Sequence, residues 1–68
     1  MKAISGKRLC RLLEAQGWVL KRIAGSHHVY AKAGNPARIS VPVHGTTVLK
    51  LGLQRHLMKL ADIDESEL

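Results

Sequence analysis

Three glycine-containing breaks divide the middle of the chain into short segments, and they limit its fold more than any other feature. The breaks are Gly17, Ala24-Gly25-Ser26 and Ala33-Gly34-Asn35-Pro36. Glycine, asparagine and proline favour turns because they supply or fix backbone angles that other residues adopt poorly. The three segments that follow these breaks, the last of which ends at Pro42, have the length of strands and are too short for ordinary helices. The middle of the chain is therefore predicted to form three strands joined by tight turns.

The segments on either side of these strands have the spacing of amphipathic helices. Ser5 is placed to cap the first helix, because its hydroxyl can accept a hydrogen bond from a free backbone N–H, and Gly17 ends that helix. The apolar positions of this helix are Leu9, Leu12 and Leu13. A second helix is predicted over about residues 51–62, and its apolar stripe consists of Leu53, Leu57, Leu60 and Ala61, with Met58 at its flank.

Alternation within the predicted strands indicates which side chains face the helices. In the second strand, the side chains expected to face inward are Val29 and Ala31, and those expected in solvent are His28, Tyr30 and Lys32. In the third strand, Ile39 and Val41 are expected to face inward. The element order predicts an α+β fold, an αβββα two-layer sandwich in which a three-stranded antiparallel meander carries both helices on one face.

Charge is divided between the body of the chain and its end. All 11 basic residues but only one acid, Glu14, lie in residues 1–61, whereas the last seven residues carry four acids. Positive charge this dense destabilises a compact state, so it predicts a polyanionic partner such as a nucleic acid. Two aromatic residues, Trp18 and Tyr30, are too few to stack single-stranded bases one by one. Contacts to phosphates are therefore expected.

Length and composition exclude several classes of protein. Sixty-eight residues form one domain and leave no room for a nucleotide-binding βαβ array. An apolar content of 46% argues against disorder. The single cysteine, Cys10, cannot form an internal disulfide, and the sequence has neither a signal-peptide pattern nor a membrane-spanning run. We therefore expect a cytoplasmic protein with no membrane association.

The turn Gly25-Ser26-His27-His28 is the strongest candidate for chemistry. Adjacent strand residues point to opposite faces, so the two histidines cannot serve one site, and the strand phase predicts His27 on the helix side. Histidine suits general acid–base catalysis near neutral pH, and Gly25 and Ser26 offer backbone N–H groups to a phosphate. RNA cleavage fits these groups, because the substrate's own 2′-hydroxyl is the nucleophile. The alternative is an inert histidine that hydrogen-bonds at the start of a strand.

The other histidines and the cysteine form no recognisable metal site. His44 is expected in a loop and His56 at the border of the second helix's apolar stripe. Their spacing with Cys10 and His27 does not match that of zinc ligands, and Cys10 is expected in the core. No metal and no other cofactor is predicted.

Basic side chains near the histidine turn form the predicted RNA-binding surface. Lys21, Arg22, Lys32 and Arg38 come from adjacent strands, and Lys7 adds to them from the first helix. The positive charge exceeds what solubility requires, which favours phosphate binding. Phosphate contacts position a strand without reading its sequence, so no sequence preference follows.

Short motifs in a fixed order run through nearly the whole chain. The first half contains Ser5-Gly6-Lys7, Leu12-Leu13-Glu14, Gly17-Trp18, Leu20, Arg22 and Gly25-Ser26-His27-His28. The second half contains Val41-Pro42-Val43-His44-Gly45, Leu49-Lys50, Gly52, Arg55, Ala61 and Ile63. This set resembles the HicA toxins, the YcfA-like mRNA interferases of toxin–antitoxin modules. Three departures are Gly52-Leu53-Gln54, where the family commonly has Gly-Thr-Leu, Leu60, where a polar residue is usual, and Asp62, where it commonly has glycine.

The resemblance implies a reduced version of the double-stranded-RNA-binding domain and ribosome-independent RNA cleavage without a metal. It implies that His27, the first histidine after Gly-Ser, is catalytic and that the protein inhibits translation by cutting mRNA. It also implies a HicB-type antitoxin that covers the active site. The toxin would then be associated with DNA only through this antitoxin. The domain is expected over residues 1–63, followed by an acidic tail over residues 64–68 that we expect to be a solvated end.

Two other functions are compatible with the same residues. The first is a non-catalytic RNA-binding module that reads the shape of a duplex, although such modules span ~16 bp and need two separate binding regions. The second is an adaptor that uses its basic surface to bind an acidic protein. RNA cleavage distinguishes the toxin from both.

Overall fold

The computed structural model describes all 68 residues and has the predicted order of elements. The elements are α1 (Gly6–Ala15), β1 (Val19–Ala24), β2 (His27–Lys32), β3 (Asn35–Pro42), α2 (Leu51–Ala61) and a 3₁₀ turn (Glu65–Glu67). The strands form one antiparallel sheet in the order β1-β2-β3, and both helices pack against it around a single core. The predicted αβββα architecture is therefore confirmed. Neither helix has the length and apolar composition needed to cross a bilayer.

The first helix begins in close contact with the end of β3. Ser5 Oγ accepts a hydrogen bond from Arg8 N at 3.1 Å, which caps the helix as predicted. A Cβ atom at Gly6 would lie only 2.0 Å from the carbonyl oxygen of Pro42. Glycine is therefore required at the first helical position, and the first turn of α1 lies beside the last residue of β3.

The central strand β2 faces the opposite way from the prediction. Tyr30 was expected in solvent, but it is only 1% exposed and lies opposite Ile39 of β3. Directly opposed residues share a face, so Tyr30 faces the helices, while Val29 and Ala31 lie on the other side of the sheet. The prediction was wrong because Tyr30 brings the largest apolar surface of the strand, and Glu14 Oε2 accepts a hydrogen bond from its hydroxyl at 2.6 Å.

Helix α2 buries a different stripe from the predicted one. Its buried residues are Gln54, Leu57, Met58 and Ala61. Leu53 and Leu60, expected in the core, are 37% and 38% exposed. Gln54 Oε1 accepts a hydrogen bond from Ile4 N at 2.9 Å, and its Nε2 donates one to Lys2 O at 2.7 Å. The side-chain amide of Gln54 thus makes the two hydrogen bonds that the backbone of a neighbouring strand would make. Because both of its polar atoms have partners, the side chain can be completely buried.

The acidic tail folds back against the domain, although Asp64, Glu65 and Ser66 stay exposed to solvent. Asp64 caps the 3₁₀ turn, and Glu67 accepts a hydrogen bond from the side chain of Gln16, just after α1. Glu65 pairs with the N-terminal amino group at 3.4 Å, and Leu68 packs against the core. The tail therefore lies near the C-terminal end of α1, whereas the N-terminal end of α1 contacts the end of β3.

Replacing Gln54 with leucine tests its role as the hydrogen-bonding partner of the N-terminal backbone. We expect Gln54→Leu to lower the free energy of unfolding by about 2–4 kcal/mol, because the backbone groups of Lys2 and Ile4 lose their partners. Urea unfolding followed by circular dichroism measures the change. The exposed neighbour Arg55→Ala is the control and should change stability by no more than about 0.5 kcal/mol. Equal stability of Gln54→Leu and wild type would contradict this role.

Asp62 ends α2 in the left-handed conformation, with φ of 57° and ψ of 42°, which disfavours a side chain. Its carboxylate also lies at the negative end of the helix dipole. We expect Asp62→Gly to raise the free energy of unfolding by about 1 kcal/mol, measured by thermal denaturation. The control Asp62→Asn removes the charge but keeps a side chain of the same size, so it should yield less than glycine. Equal gains for the two variants would show that charge alone is responsible.

Candidate active site

His27 lies on the face of the sheet that the helices leave uncovered. This open face is defined by Val19, Arg22 and Ala24 of β1, His27, Val29 and Ala31 of β2, and Arg38, Ser40 and Pro42 of β3. The side chain of His27 is exposed there, so the prediction that it lies on the helix side was wrong. The cause is the burial of Tyr30, because residues three apart on a strand point to opposite faces.

His28 takes the position that was predicted for its neighbour. It is half-buried and lies opposite Val41, a core residue, on the helix side of the sheet. The two histidines thus point to opposite faces as predicted, but His27 is on the open face and His28 is on the helix side. Only His27 is accessible from the open face.

The turn before His27 has a two-residue loop formed by Gly25 and Ser26, since Ala24 and His27 are paired. Gly25 has φ of +62° and Ser26 does not have a positive φ, a pattern that matches a type II′ hairpin turn. The carbonyl oxygen of Ser26 accepts a hydrogen bond from Val43 N at 2.7 Å. This bond ties the turn to the end of β3 and holds His27 at a fixed place on the sheet.

Ser40 contacts the imidazole of His27 from the neighbouring strand. Its Oγ lies 3.1 Å from His27 Nδ1, a hydrogen-bonding distance. A hydroxyl can donate or accept, so it can hold the ring in either neutral tautomer and leave Nε2 directed away from it. Strand alternation already placed Ser40 outward with Arg38. The pair was missed because His27 had been assigned to the other face.

A β-bulge brings two consecutive basic residues to the open face. The register between β1 and β2 shifts between Leu20 and Arg22, so Lys21 is an extra residue in β1. Arg22 lies opposite Val29 on the open face, and Lys21 lines a cavity on the same face. Strict alternation would have put these two side chains on opposite sides of the strand.

The remaining predicted RNA-binding residues lie in two places. Arg38 lies opposite Ala31 on the open face, and Lys32 lines the same cavity at the β2–β3 turn. Lys7 belongs to the first turn of α1, beside Pro42 and therefore at the His27 end of the sheet, but in the helix layer. No acidic residue belongs to the sheet. The acids lie in α1 and in residues 62–67.

The buried ionisable groups lie behind the sheet, away from His27. Burial raises the pKa of the Tyr30 hydroxyl far above its ordinary value, and its hydrogen bond to Glu14 raises that pKa further. Burial likewise raises the pKa of the Cys10 thiol, so it remains protonated and is part of the core, as predicted. His44 and His56 are exposed in the loop after β3 and on α2. No three metal-binding side chains converge anywhere in the fold.

Comparison with known families supports the identity that the motifs suggest. Residues 6–63 match the family described as "HicA toxin of bacterial toxin-antitoxin". The match covers most of the chain, so this protein belongs to the HicA toxin family and is a toxin of a toxin–antitoxin system. HicA toxins are in general ribonucleases. No curated protein matches the chain significantly.

The proton of Tyr30 gives a test of the buried hydrogen bond. At a pH below the ordinary tyrosine pKa near 10, Tyr30 keeps its proton in both the folded and the unfolded chain. The hydrogen bond then makes its full contribution to the free energy of unfolding. Above that pH only the unfolded chain loses it, so stability should fall with rising pH. Because Tyr30 is the single tyrosine, its tyrosinate absorbance should appear together with loss of helical circular dichroism. Tyrosinate appearing near pH 10 in a folded protein would contradict the burial.

Proposed function

We propose that this toxin is an endoribonuclease that cuts mRNA on the open face, with His27 as its general acid–base residue and without a metal. The observation that supports it best is an exposed histidine, oriented by Ser40 at 3.1 Å, on a sheet face that carries basic side chains and no acid. Polyanionic RNA is attracted to such a face. The substrate brings its own nucleophile, the 2′-hydroxyl, so the protein need only position the strand and transfer protons.

The proposed reaction begins when Nε2 of His27 takes the proton of a 2′-hydroxyl. The 2′-oxygen then attacks the adjacent phosphorus, and the bond from phosphorus to the 5′-oxygen breaks. The leaving oxygen receives a proton from the imidazolium or from water, giving a 2′,3′-cyclic phosphate and a 5′-hydroxyl. Ser40 serves both stages, because its hydroxyl accepts a hydrogen bond from the protonated Nδ1, which leaves Nε2 free to take the proton and then to carry it. It is a positioning residue.

Basic groups near His27 would stabilise the charge that develops on the phosphate. Arg22 lies on the open face beside the histidine strand, and a guanidinium can bind two phosphate oxygens at once. Gly25 and Ser26 in the turn offer backbone N–H groups at the start of the same strand. Lys21, Lys32 and Arg38 would bind the strand farther along β2, and Lys7 would add positive charge from the helix layer.

An antitoxin of the HicB type is the proposed protein partner. It would silence the toxin by covering His27, and its contacting surface would be acidic or shaped to exclude RNA. Because RNA and antitoxin would occupy the same open face, inhibition would be steric. DNA would be approached only through the antitoxin, and the toxin itself would halt translation once released.

Cleavage of single-stranded RNA in EDTA tests the catalytic role. We expect His27→Ala to lower kcat about 10²- to 10⁴-fold, the usual contribution of a general acid–base residue, while RNA binding is retained. Ser40→Ala should lower kcat less and leave KM unchanged, and Ser40→Thr should restore activity because it keeps the hydroxyl. Cleavage is followed on gels and binding by fluorescence anisotropy.

The neighbouring His28→Ala is the matched control, because His28 faces the core side of the sheet. Its cleavage rate should stay near that of wild type when thermal denaturation shows it to be folded. RNA binding by wild type without any cleavage would favour the non-catalytic RNA-binding module. Full cleavage by a folded His27→Ala variant would exclude His27 as the catalytic residue.

A further inference from the structure

We propose that the cavity at the β2–β3 turn end of the open face binds a second, uncleaved phosphodiester of the same RNA strand. This phosphate subsite is lined by Val19, Lys21, Ala31, Lys32, Ala33, Asn35, Pro36 and Arg38 and has a volume of about 480 Å³. The proposal rests on the proposed function in one respect, that the strand is RNA held with its cleaved bond at His27.

The cavity exists because the middle residue of a row of three paired residues, one from each strand, is small. Ala31 lies between Val19 of β1 and Arg38 of β3 in the paired register. Alanine leaves a depression there, while the longer neighbours on each side form walls. The bulge in β1 adds Lys21 to one wall, and the β2–β3 turn closes the end. The depression is therefore built by the register of the sheet.

The charges around the cavity suit a phosphate. Lys21, Lys32 and Arg38 line it, and no acidic residue does. The only ion pair in the structure joins the N-terminal amino group to Glu65, so none of these three cations is neutralised by a carboxylate. Positive groups left unpaired around one depression attract an anion with several acceptor oxygens.

Lys32 lines this cavity and also contacts an aromatic ring. Its Nζ lies over the ring of Trp18, 5.9 Å from the centroid, which is within the range of a cation–π contact. Such a contact orients the ammonium group and keeps its full charge. Trp18 is also the single tryptophan of the chain, so its fluorescence reports on events next to Lys32.

The distance from His27 determines which phosphate would reach the cavity. His27 and Ala31 are four residues apart on β2, about 13 Å at ~3.3 Å per residue. This exceeds the reach of one nucleotide step, so the bound phosphate is at least two linkages from the cleaved one. Arg22, opposite Val29, lies between the two positions, along the path of the strand. The RNA strand would therefore run along β2.

A strand with one defined cleavage position tests this geometry. The probe is an oligodeoxynucleotide with a single ribonucleotide, so that only one linkage has a 2′-hydroxyl, and one neutral methylphosphonate is moved along it position by position. For wild type, we expect kcat/KM to fall about tenfold when the neutral linkage is at one particular site at least two linkages from the ribonucleotide. In the double variant Lys21→Gln/Arg38→Gln this site-specific loss should disappear.

The matched control removes two cations from the helix layer instead, Lys50→Gln/Arg55→Gln, and has the same net charge. It should keep the position-specific loss. A loss at no position, or an equal loss in both double variants, would overturn the subsite.

A second measurement does not depend on cleavage. In the His27→Ala background, 2′-O-methyl strands of increasing length should show a step in affinity, with a change in Trp18 fluorescence, once they span both positions. The step should be absent when Lys21 and Arg38 are replaced. A smooth rise with length in both backgrounds would overturn the subsite. A step found together with no cleavage by wild type would support the subsite and contradict the proposed function.

Discussion

The burial of Tyr30 against Glu14 is the interaction on which the rest of the structure depends. A tyrosine ring at the centre of the middle strand can face the helices only if its hydroxyl finds a partner, and the Glu14 carboxylate at 2.6 Å supplies one. Once that ring faces the helices, every residue of β2 is assigned to a face. His27 must then point to the open side, where Ser40 of the next strand meets it.

The same arrangement separates the charges of the molecule. Glu14 is used behind the sheet, and the other acids lie at the end of α2 and in the tail docked near Gln16. The charged side chains of the open face are therefore all basic. A small protein with such a surface is suited to a polyanion, and the proposed competition between RNA and an antitoxin follows from both needing one face. The tail lies in the helix layer, away from the open face.

Local sequence signals were sufficient for the elements and their order. Ser5 as a helix cap, the turn at Gly25 and the bounds of α2 were all predicted and are present, because each depends on backbone preferences within a few residues. Faces were predicted less well. Gln54 is buried and Leu53 is exposed, since the decisive hydrogen bonds reach Lys2 and Ile4, some fifty residues away in sequence.

The amino-acid sequence was enough to predict the αβββα order, the excess of positive charge and the histidine turn that resembles that of the HicA family. These depend on composition, turn residues and motif spacing, all of which are local. The tertiary structure alone decided that His27 faces outward beside Ser40, and that Lys21 joins Arg22 on one face through a bulge. Strand phase is ambiguous when both faces carry apolar residues, and register depends on partners far along the chain. Only packing of the whole domain resolves either one.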